Sequence, residues 1–144
     1  MNLIEQKMIE CLKKNKDKTL NNTKITNVSY NLQNNTVNKK YIYLHYSLIA
    51  VFQESNEGFQ LSITDAGWKT KTKKSRLNAI LDWFDDYQID KKPPLTNIYY
   101  QIYQSNYEWY ISALDESFHF DSLKENGFVQ VNYYKFKELE QCKM

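Results

Sequence analysis

Basic side chains crowd one short stretch of the chain, between residues 69 and 76. They are Lys69, Lys71, Lys73, Lys74 and Arg76, with Trp68 just before them. The helix predicted over 72–88 begins inside this stretch, and a helix N-terminus offers an anion free backbone N–H groups and the positive end of a dipole. We therefore predict an anion-binding or nucleic-acid-binding site at these six residues. A solvated basic turn without a ligand is the alternative, because exposed charges tolerate poor placement.

The charges of the predicted helix run against its dipole. Apolar residues recur at helical spacing, at Leu77, Ile80, Leu81, Phe84 and Tyr87. Thr72 is the expected N-cap, since its hydroxyl can accept a backbone N–H. Basic residues nevertheless lie at the start and aspartates toward the end, the reverse of what the dipole favours by about 0.3 to 1 kcal/mol per charge. We expect something outside the isolated helix to favour this arrangement.

Trp68 separates two interpretations of the same stretch. We predict that its ring packs at the corner between strand and helix, whereas the surrounding lysines are dispensable for folding. If the ring were exposed instead, it would be free to stack on a base or to contact a protein.

Four aspartates, followed by Lys92, suggest a metal-dependent nuclease as a third hypothesis; they are Asp82, Asp85, Asp86 and Asp90. Asp85 and Asp86 are adjacent, however, and therefore point about 100 degrees apart on a helix. His45 and His119 stand alone in the sequence, and three glycines cannot build a phosphate-binding loop. We therefore expect no metal site, no cofactor and no enzymatic activity.

Composition indicates one folded domain over residues 1–144. Hydrophobic residues make up 42% of the chain and aromatic residues 15%, so the core should be rich in aromatic rings. A net charge of +2 favours neither a strongly basic nucleic-acid binder nor an acidic DNA mimic. Cys11 and Cys142 are too few for a disulfide framework, and no signal peptide or membrane-length apolar run is apparent. A cytoplasmic location is expected.

Hydrophobic periodicity predicts an α+β domain in which helices pack on an antiparallel sheet. Asn2 and Glu5 form a capping-box pattern ahead of a helix over 3–14, where Cys11 should be a buried structural thiol. A period of two then predicts three or four meandering strands between residues 24 and 63, and a hairpin between residues 98 and 111. The expected turns are Gln33–Asn38, His45–Ser47, Glu54–Gly58 and Gln104–Tyr107.

The remaining segments carry weaker patterns. The apolar run Leu48–Phe52 predicts a strand covered on both faces. Lys91-Lys92-Pro93-Pro94 should stop the central helix. Near the end of the chain, Asp121 is the expected cap of a short helical turn, and a last helix is predicted over 135–141.

The junction between strand and helix resembles that of a group of small proteins encoded by bacteriophages and prophages. In that group a strand ending in Gly-Trp leads into a Thr-rich turn and a helix that starts Lys-x-Arg-Leu/Ile-Asn. The matching segments are Tyr43–His45, Leu48–Ala50, Leu61–Ile63, Ala66–Thr70, Thr72–Lys73, Ser75–Asn78 and Glu108–Tyr110. The chain departs from the pattern at Tyr46, where glycine is usual, and at Lys71, where threonine is usual. The resemblance implies an origin in a virus or mobile element, and no particular chemistry.

Two hypotheses for function, different in class, follow. In the first, the basic stretch contacts the phosphates of a nucleic acid or a nucleoprotein complex, and Trp68 or a tyrosine stacks on a base. In the second, a tyrosine-rich face of the sheet binds a protein and blocks a host or defence complex, as an anti-CRISPR protein does. No membrane partner is expected. Solvent exposure of the tyrosines would separate the two hypotheses.

Overall fold

Two antiparallel sheets and three α-helices make up the part of the chain that the computed structural model describes, residues 1–91 and 98–141. The α-helices are α1 (Leu3–Lys14), α2 (Lys71–Lys91) and α3 (Tyr133–Gln141), and a 3-10 helix spans Phe120–Leu123. The strands are β1 (Lys18–Leu20), β2 (Thr23–Leu32), β3 (Asn35–Leu44), β4 (Ser47–Ser55), β5 (Gly58–Ile63), β6 (Gln101–Ser105), β7 (Glu108–Ala113), β8 (Glu116–His119) and β9 (Val129–Gln130). The predicted α+β class is confirmed.

The larger sheet has the strand order β1-β2-β3-β4-β5-β9. Strands β2 to β5 form the predicted meander, β1 precedes it and was not predicted, and two-residue turns join these five strands. The tight connection predicted at His45–Ser47 is present, although it consists of His45 and Tyr46, both with positive φ, because Ser47 already belongs to β4. The polar turn predicted over 33–38 is wrong beyond Asn34, because Gln33 and Asn34 both adopt positive φ and close the hairpin by themselves. Asn35 therefore already pairs with Leu32.

Helices α1 and α2 cover one face of this sheet, here called the inner face. Ile42, Ala50, Leu61 and Ile63 alternate onto that face and are buried against the helices. At the far end of α2 the expected aromatic-rich core is present, since Phe52 contacts Trp83, Phe84 and Tyr87 edge to face. No helix packs on the opposite, outer face within the described residues. The apolar run of β4 is therefore covered on one face only, contrary to prediction, and Leu48 and Val51 are half-buried on the other.

The smaller sheet, β6-β7-β8, is attached to the core through α2. Ile102, Ile111 and Phe118 point inward along matched registers. The Asn78 side chain holds β6 to the helix, accepting from the Ile102 N–H at 2.7 Å and donating to the Ile102 carbonyl at 2.9 Å. The predicted hairpin is confirmed. Sequence reasoning missed its third strand, β8.

The helix boundaries are close to those predicted. In α1 the Asn2 and Glu5 capping box is present, and Cys11 is half-buried against the core rather than fully buried. Helix α2 begins at Lys71, and Thr70 caps it by accepting the Lys73 N–H at 3.1 Å, so Thr72 is not the N-cap. Helix α3 starts at Tyr133, two residues before its predicted start.

Three other expectations concern the end of α2 and the tail. Asp121 lies inside the 3-10 helix, whose N-cap position is His119, so the predicted cap is wrong. Lys91 ends α2, whereas Lys92, Pro93 and Pro94 of the predicted stop, like Cys142, lie outside the described residues. Of the helices described, none is both long and apolar enough to cross a membrane.

Candidate functional site

The predicted binding stretch follows β5 and enters α2 through a tight polar turn. Ala66 and Gly67 both adopt positive φ there, 54° and 79°, and the Gly67 N–H donates to the Asp65 carboxylate at 3.0 Å. That carboxylate is almost completely buried and lies 2.8 Å from both the Lys69 and the Lys124 ammonium groups. Burial alone would raise the pKa of Asp65, but hydrogen bonds from Lys124, Lys69 and the Gly67 backbone lower it to about 2. The turn is thus built around a buried, ionised aspartate.

Lys69 and Lys73 stabilise this turn. The Lys69 ammonium also lies 2.9 Å from the Asp121 carboxylate, so it bridges two acids that come from different parts of the chain. Lys73 is buried and donates to the backbone carbonyls of Asp65 and Trp68, the latter in the turn just before the helix. These contacts explain why cations occupy a helix start that the dipole disfavours. Their anionic and dipolar partners lie in the same molecule.

Arg76 is the most deeply buried of the five cations. Its guanidinium is 2.7 Å from the Glu5 carboxylate and donates to the Thr23 hydroxyl at 2.9 Å, which links α2 to α1 and β2. Burial opposes ionisation of Glu5, but hydrogen bonds from Ser75 and Arg76 hold its pKa below the ordinary value. Arg76 therefore belongs to the fold and is not available to a ligand.

Two of the five predicted cations have neither an ion pair nor a side-chain hydrogen bond within residues 1–91 and 98–141. Lys71 is exposed and Lys74 is half-buried. Trp68 is 73% exposed beside them, so the expectation that its ring packs at the corner is wrong. Its backbone is held by a hydrogen bond from the Trp68 N–H to the Asp65 carbonyl at 3.1 Å and by the one from Lys73 to the Trp68 carbonyl. Three of the six predicted site residues thus lie together at the surface.

The helix aspartates do not converge on a common point. Asp82, Asp86 and Asp90 are exposed, whereas Asp85 is buried with one carboxylate oxygen lacking a hydrogen bond among the described residues. Burial raises the pKa of Asp85 to about 8, and the charges of Asp82 and Asp86 add to the effect. Asp85 is therefore largely neutral at pH 7. In the part of the chain that the structure describes, no three acidic, histidine or cysteine side chains are grouped to hold a metal ion.

A groove of about 790 Å³ opens where the inner face, on the side of the β2–β3 turn, meets the C-terminal ends of α1 and α2. Lys40 lies almost buried at its floor, and burial lowers the pKa of this ammonium group. Its donors are directed to the side-chain oxygens of Asn15, the C-cap of α1, and of Asn27 in β2. Lys40 therefore links the C-terminal end of α1 to the larger sheet.

The outer face of the larger sheet has a different composition. On β2 the residues Val28, Tyr30 and Leu32 point to this face and are 41%, 41% and 59% exposed. Half-buried apolar residues continue the surface across β3 and β4; they are Tyr41, Tyr43, Leu48 and Val51. The Lys39 ammonium lies 5.8 Å from the centre of the Tyr30 ring. Exposed apolar side chains that adjoin one another in this way mark interaction surfaces.

The sequence indicates this surface by a segment without charged residues, which is less conspicuous than the charges of the basic stretch. Residues 25–38 carry no charged side chain, although charged residues make up 25% of the chain. The pattern over Thr26–Leu32 predicts which side chains share a face of the strand, but it does not predict which of the two faces the helices cover.

A comparison with known protein families gives a match over most of the chain. The family model described as Kyanoviridae Gp96 protein matches residues 1–137. No curated protein and no solved structure matches the chain significantly. The match covers both sheets, α2 and most of α3, and it agrees with the phage origin implied by the strand-to-helix junction.

Proposed function

The chain belongs to the Kyanoviridae Gp96 protein family of bacteriophages, and we propose that it is a non-enzymatic binding protein. Its target would be a host or defence protein, which it engages through the outer face of the six-stranded sheet. The observation that carries the proposal is the exposure of Val28, Tyr30 and Leu32 on a face that no described helix covers. Binding there would act by steric blockade and would need no catalytic group.

The chemistry of the outer face suits a protein target. Tyrosine is enriched at the centres of protein interfaces, where its ring fills a pocket at low conformational cost and its hydroxyl finds a partner. Tyr30, Tyr41 and Tyr43 occur on this face among aliphatic side chains. Lys24 and Lys39 are the charged residues that β2 and the neighbouring part of β3 place on this face, and Lys39 lies opposite Val28 with its ammonium group beside the Tyr30 ring.

Affinity capture from host extract, with matched variants, tests the proposal. The double variant Tyr30→Asp/Leu32→Asp places two charges among the exposed apolar residues of the outer face, and Tyr46→Asp/Tyr107→Asp places two charges in exposed turns elsewhere. Proteins captured by the parent and by the control but not by the outer-face variant would be purified and their affinities measured. Loss of a central tyrosine contact is expected to cost at least about 2 kcal/mol, or roughly thirtyfold in affinity. Equal capture by all three proteins would contradict the proposal.

A second candidate function rests on the exposure of Trp68 beside Lys71 and Lys74. An indole next to two free cations can stack on a base while the lysines contact phosphates. With two cations instead of five, the log-log slope of nucleic-acid affinity against salt should be about 2. Lys71→Glu/Lys74→Glu should abolish that dependence, whereas Lys13→Glu/Lys16→Glu, with the same charge change on exposed residues of another surface, should not. Binding that both double variants retain would dismiss this candidate.

A further inference from the structure

The free edge of β2 has no neighbouring strand beyond Ile25. Strand β1 pairs only with Thr23–Ile25, and the outward N–H of Asn27 donates to the Asp17 carboxylate at 2.7 Å. Past that point the edge is open. It continues for five more residues to the hairpin turn, a length at which a strand can accept another strand.

The hydrogen-bonding direction of each residue on this edge follows from the hairpin. The two-residue turn makes Leu32 and Asn35 a hydrogen-bonded pair, so every second residue back along β2 also faces β3. The backbone N–H and C=O groups of Ser29 and Asn31 therefore point away from the sheet. No hydrogen bond to these backbone groups occurs within the described ranges 1–91 and 98–141.

The two edge strands of the smaller sheet carry side chains that hinder pairing with another strand. On β6, the Asn78 side chain takes both backbone groups of Ile102. On β8, Glu116 carries a charge and lies 2.9 Å from the Lys137 ammonium. Charged side chains, prolines and bulges are the usual means of preventing edge-to-edge pairing. Residues 25–38 contain no charged residue and no proline, and the bulge of the sheet lies beyond them, at Ile42/Tyr43.

We propose that the open edge of β2 pairs with the same edge of a second copy of this chain, antiparallel about a two-fold axis at Tyr30. In this register Ser29 lies opposite Asn31 of the second copy. On the other side of the axis, Asn31 lies opposite Ser29 of the second copy. Each pair exchanges two backbone hydrogen bonds. The two Tyr30 residues meet as a pair without backbone hydrogen bonds, the closer type, with Val28 beside Leu32 of the second copy on the outer face.

A second copy fits this edge better than an unrelated strand for two reasons. The segment 27–32 is neutral, so two copies bring no like charges together. Its apolar residues alternate symmetrically about Tyr30, so a two-fold axis places apolar side chains opposite apolar side chains. Pairing would join two six-stranded sheets and make their outer faces continuous. The inference goes beyond the proposed function, since it concerns the edge and holds whatever the outer face binds.

Sedimentation equilibrium of the full chain, from micromolar to millimolar concentration, tests the pairing. The average mass should rise from 17.3 kDa toward twice that value as concentration increases. Ser29→Lys/Asn31→Lys should remain monomeric because each new lysine faces another across the axis, and so should Ser29→Glu/Asn31→Glu. An equimolar mixture of the two should dimerise again, because every cross-strand pair then becomes attractive. A variant that merely failed to fold would not be rescued by mixing.

The outcomes separate this inference from the proposed function. Tyr46→Lys, in a distant turn, should dimerise like the parent. A parent that stays monomeric throughout the concentration range would overturn the pairing, and so would a lysine variant that dimerises as the parent does. Neither result would affect capture of a target by the outer face, because the side chains of Ser29 and Asn31 point to the inner face.

Discussion

The strand-to-helix junction and the β2–β3 hairpin use their side chains in opposite ways. At the junction most charges have a partner inside the molecule: Lys69 and Lys124 neutralise Asp65, and Arg76 neutralises Glu5. The hairpin carries no charge between residues 25 and 38 and exposes the apolar side chains of its outer face. The region with the most conspicuous charges is therefore largely structural, and the neutral region is the more available for binding.

The difference shows what a count of charges can and cannot indicate. A lysine near a helix start has the same one-letter code whether its ammonium group caps carbonyls, as in Lys73, or lies in solvent, as in Lys71. A run without charges is more informative in this chain, because solvated strands usually carry some. The comparison predicts that changes at the junction alter stability and that changes on the hairpin alter association.

The largest effect is expected at Arg76. Arg76→Met keeps much of the apolar volume but leaves the Glu5 carboxylate buried without its ion-pair partner, which should cost about 3 to 5 kcal/mol of unfolding free energy. Lys71→Met, a loss of charge at the surface of the same helix, should change the unfolding free energy by less than about 0.5 kcal/mol. Urea unfolding of both variants measures the contrast. Equal effects would show that burial of the Arg76 guanidinium is not what holds α2 to α1.

A smaller and pH-dependent effect is expected at Asp65. Its pKa in the folded protein is about 2, below the ordinary value of 3.8, so its contribution to stability is present above pH 3.8 and is lost as the pH falls through 2. The depression corresponds to about 2 kcal/mol. Asp65→Asn should therefore lower the unfolding free energy at pH 7 by about that amount and reduce its fall between pH 4 and pH 2. A variant with the parent's full acid dependence would contradict the assignment.

Trp68 should give the smallest change in stability. Because its ring is 73% exposed, Trp68→Ala should shift the unfolding free energy by only about 0.5 kcal/mol, far less than the change expected of a buried tryptophan. Thermal and urea unfolding, compared with Trp109→Ala in the buried face of the smaller sheet, measure this. A cost of about 3 kcal/mol or more at Trp68 would mean that the ring packs against the fold after all.

Much of the fold could be predicted from sequence because the controlling interactions are local. The capping box of Asn2 and Glu5 and the alternation of β2 and β5 are set by neighbours a few residues away. The third strand of the smaller sheet was missed because Glu116–His119 is only four residues long, and its hydrophobic face is set by β7.

The site was less predictable, since its character depends on contacts far apart in the sequence. In the sequence, five strands of the larger sheet lie between Glu5 and Arg76, and the whole smaller sheet lies between Asp65 and Lys124. No pattern near residue 76 indicates that its charge is already neutralised. Exposure of Val28, Tyr30 and Leu32 likewise depends on which face the helices cover, and alternation alone does not decide that.

The affinity of two double variants for one purified target tests the central claim most directly. Tyr30→Asp/Leu32→Asp changes the outer face, and Lys71→Glu/Lys74→Glu changes the free cations of the junction. Titration calorimetry with a target captured by the parent should show the outer-face variant weakened by roughly thirtyfold or more and the junction variant within about twofold of the parent. The reverse order, with the junction variant weakened and the outer-face variant unaffected, would contradict the account and return the binding site to Trp68, Lys71 and Lys74.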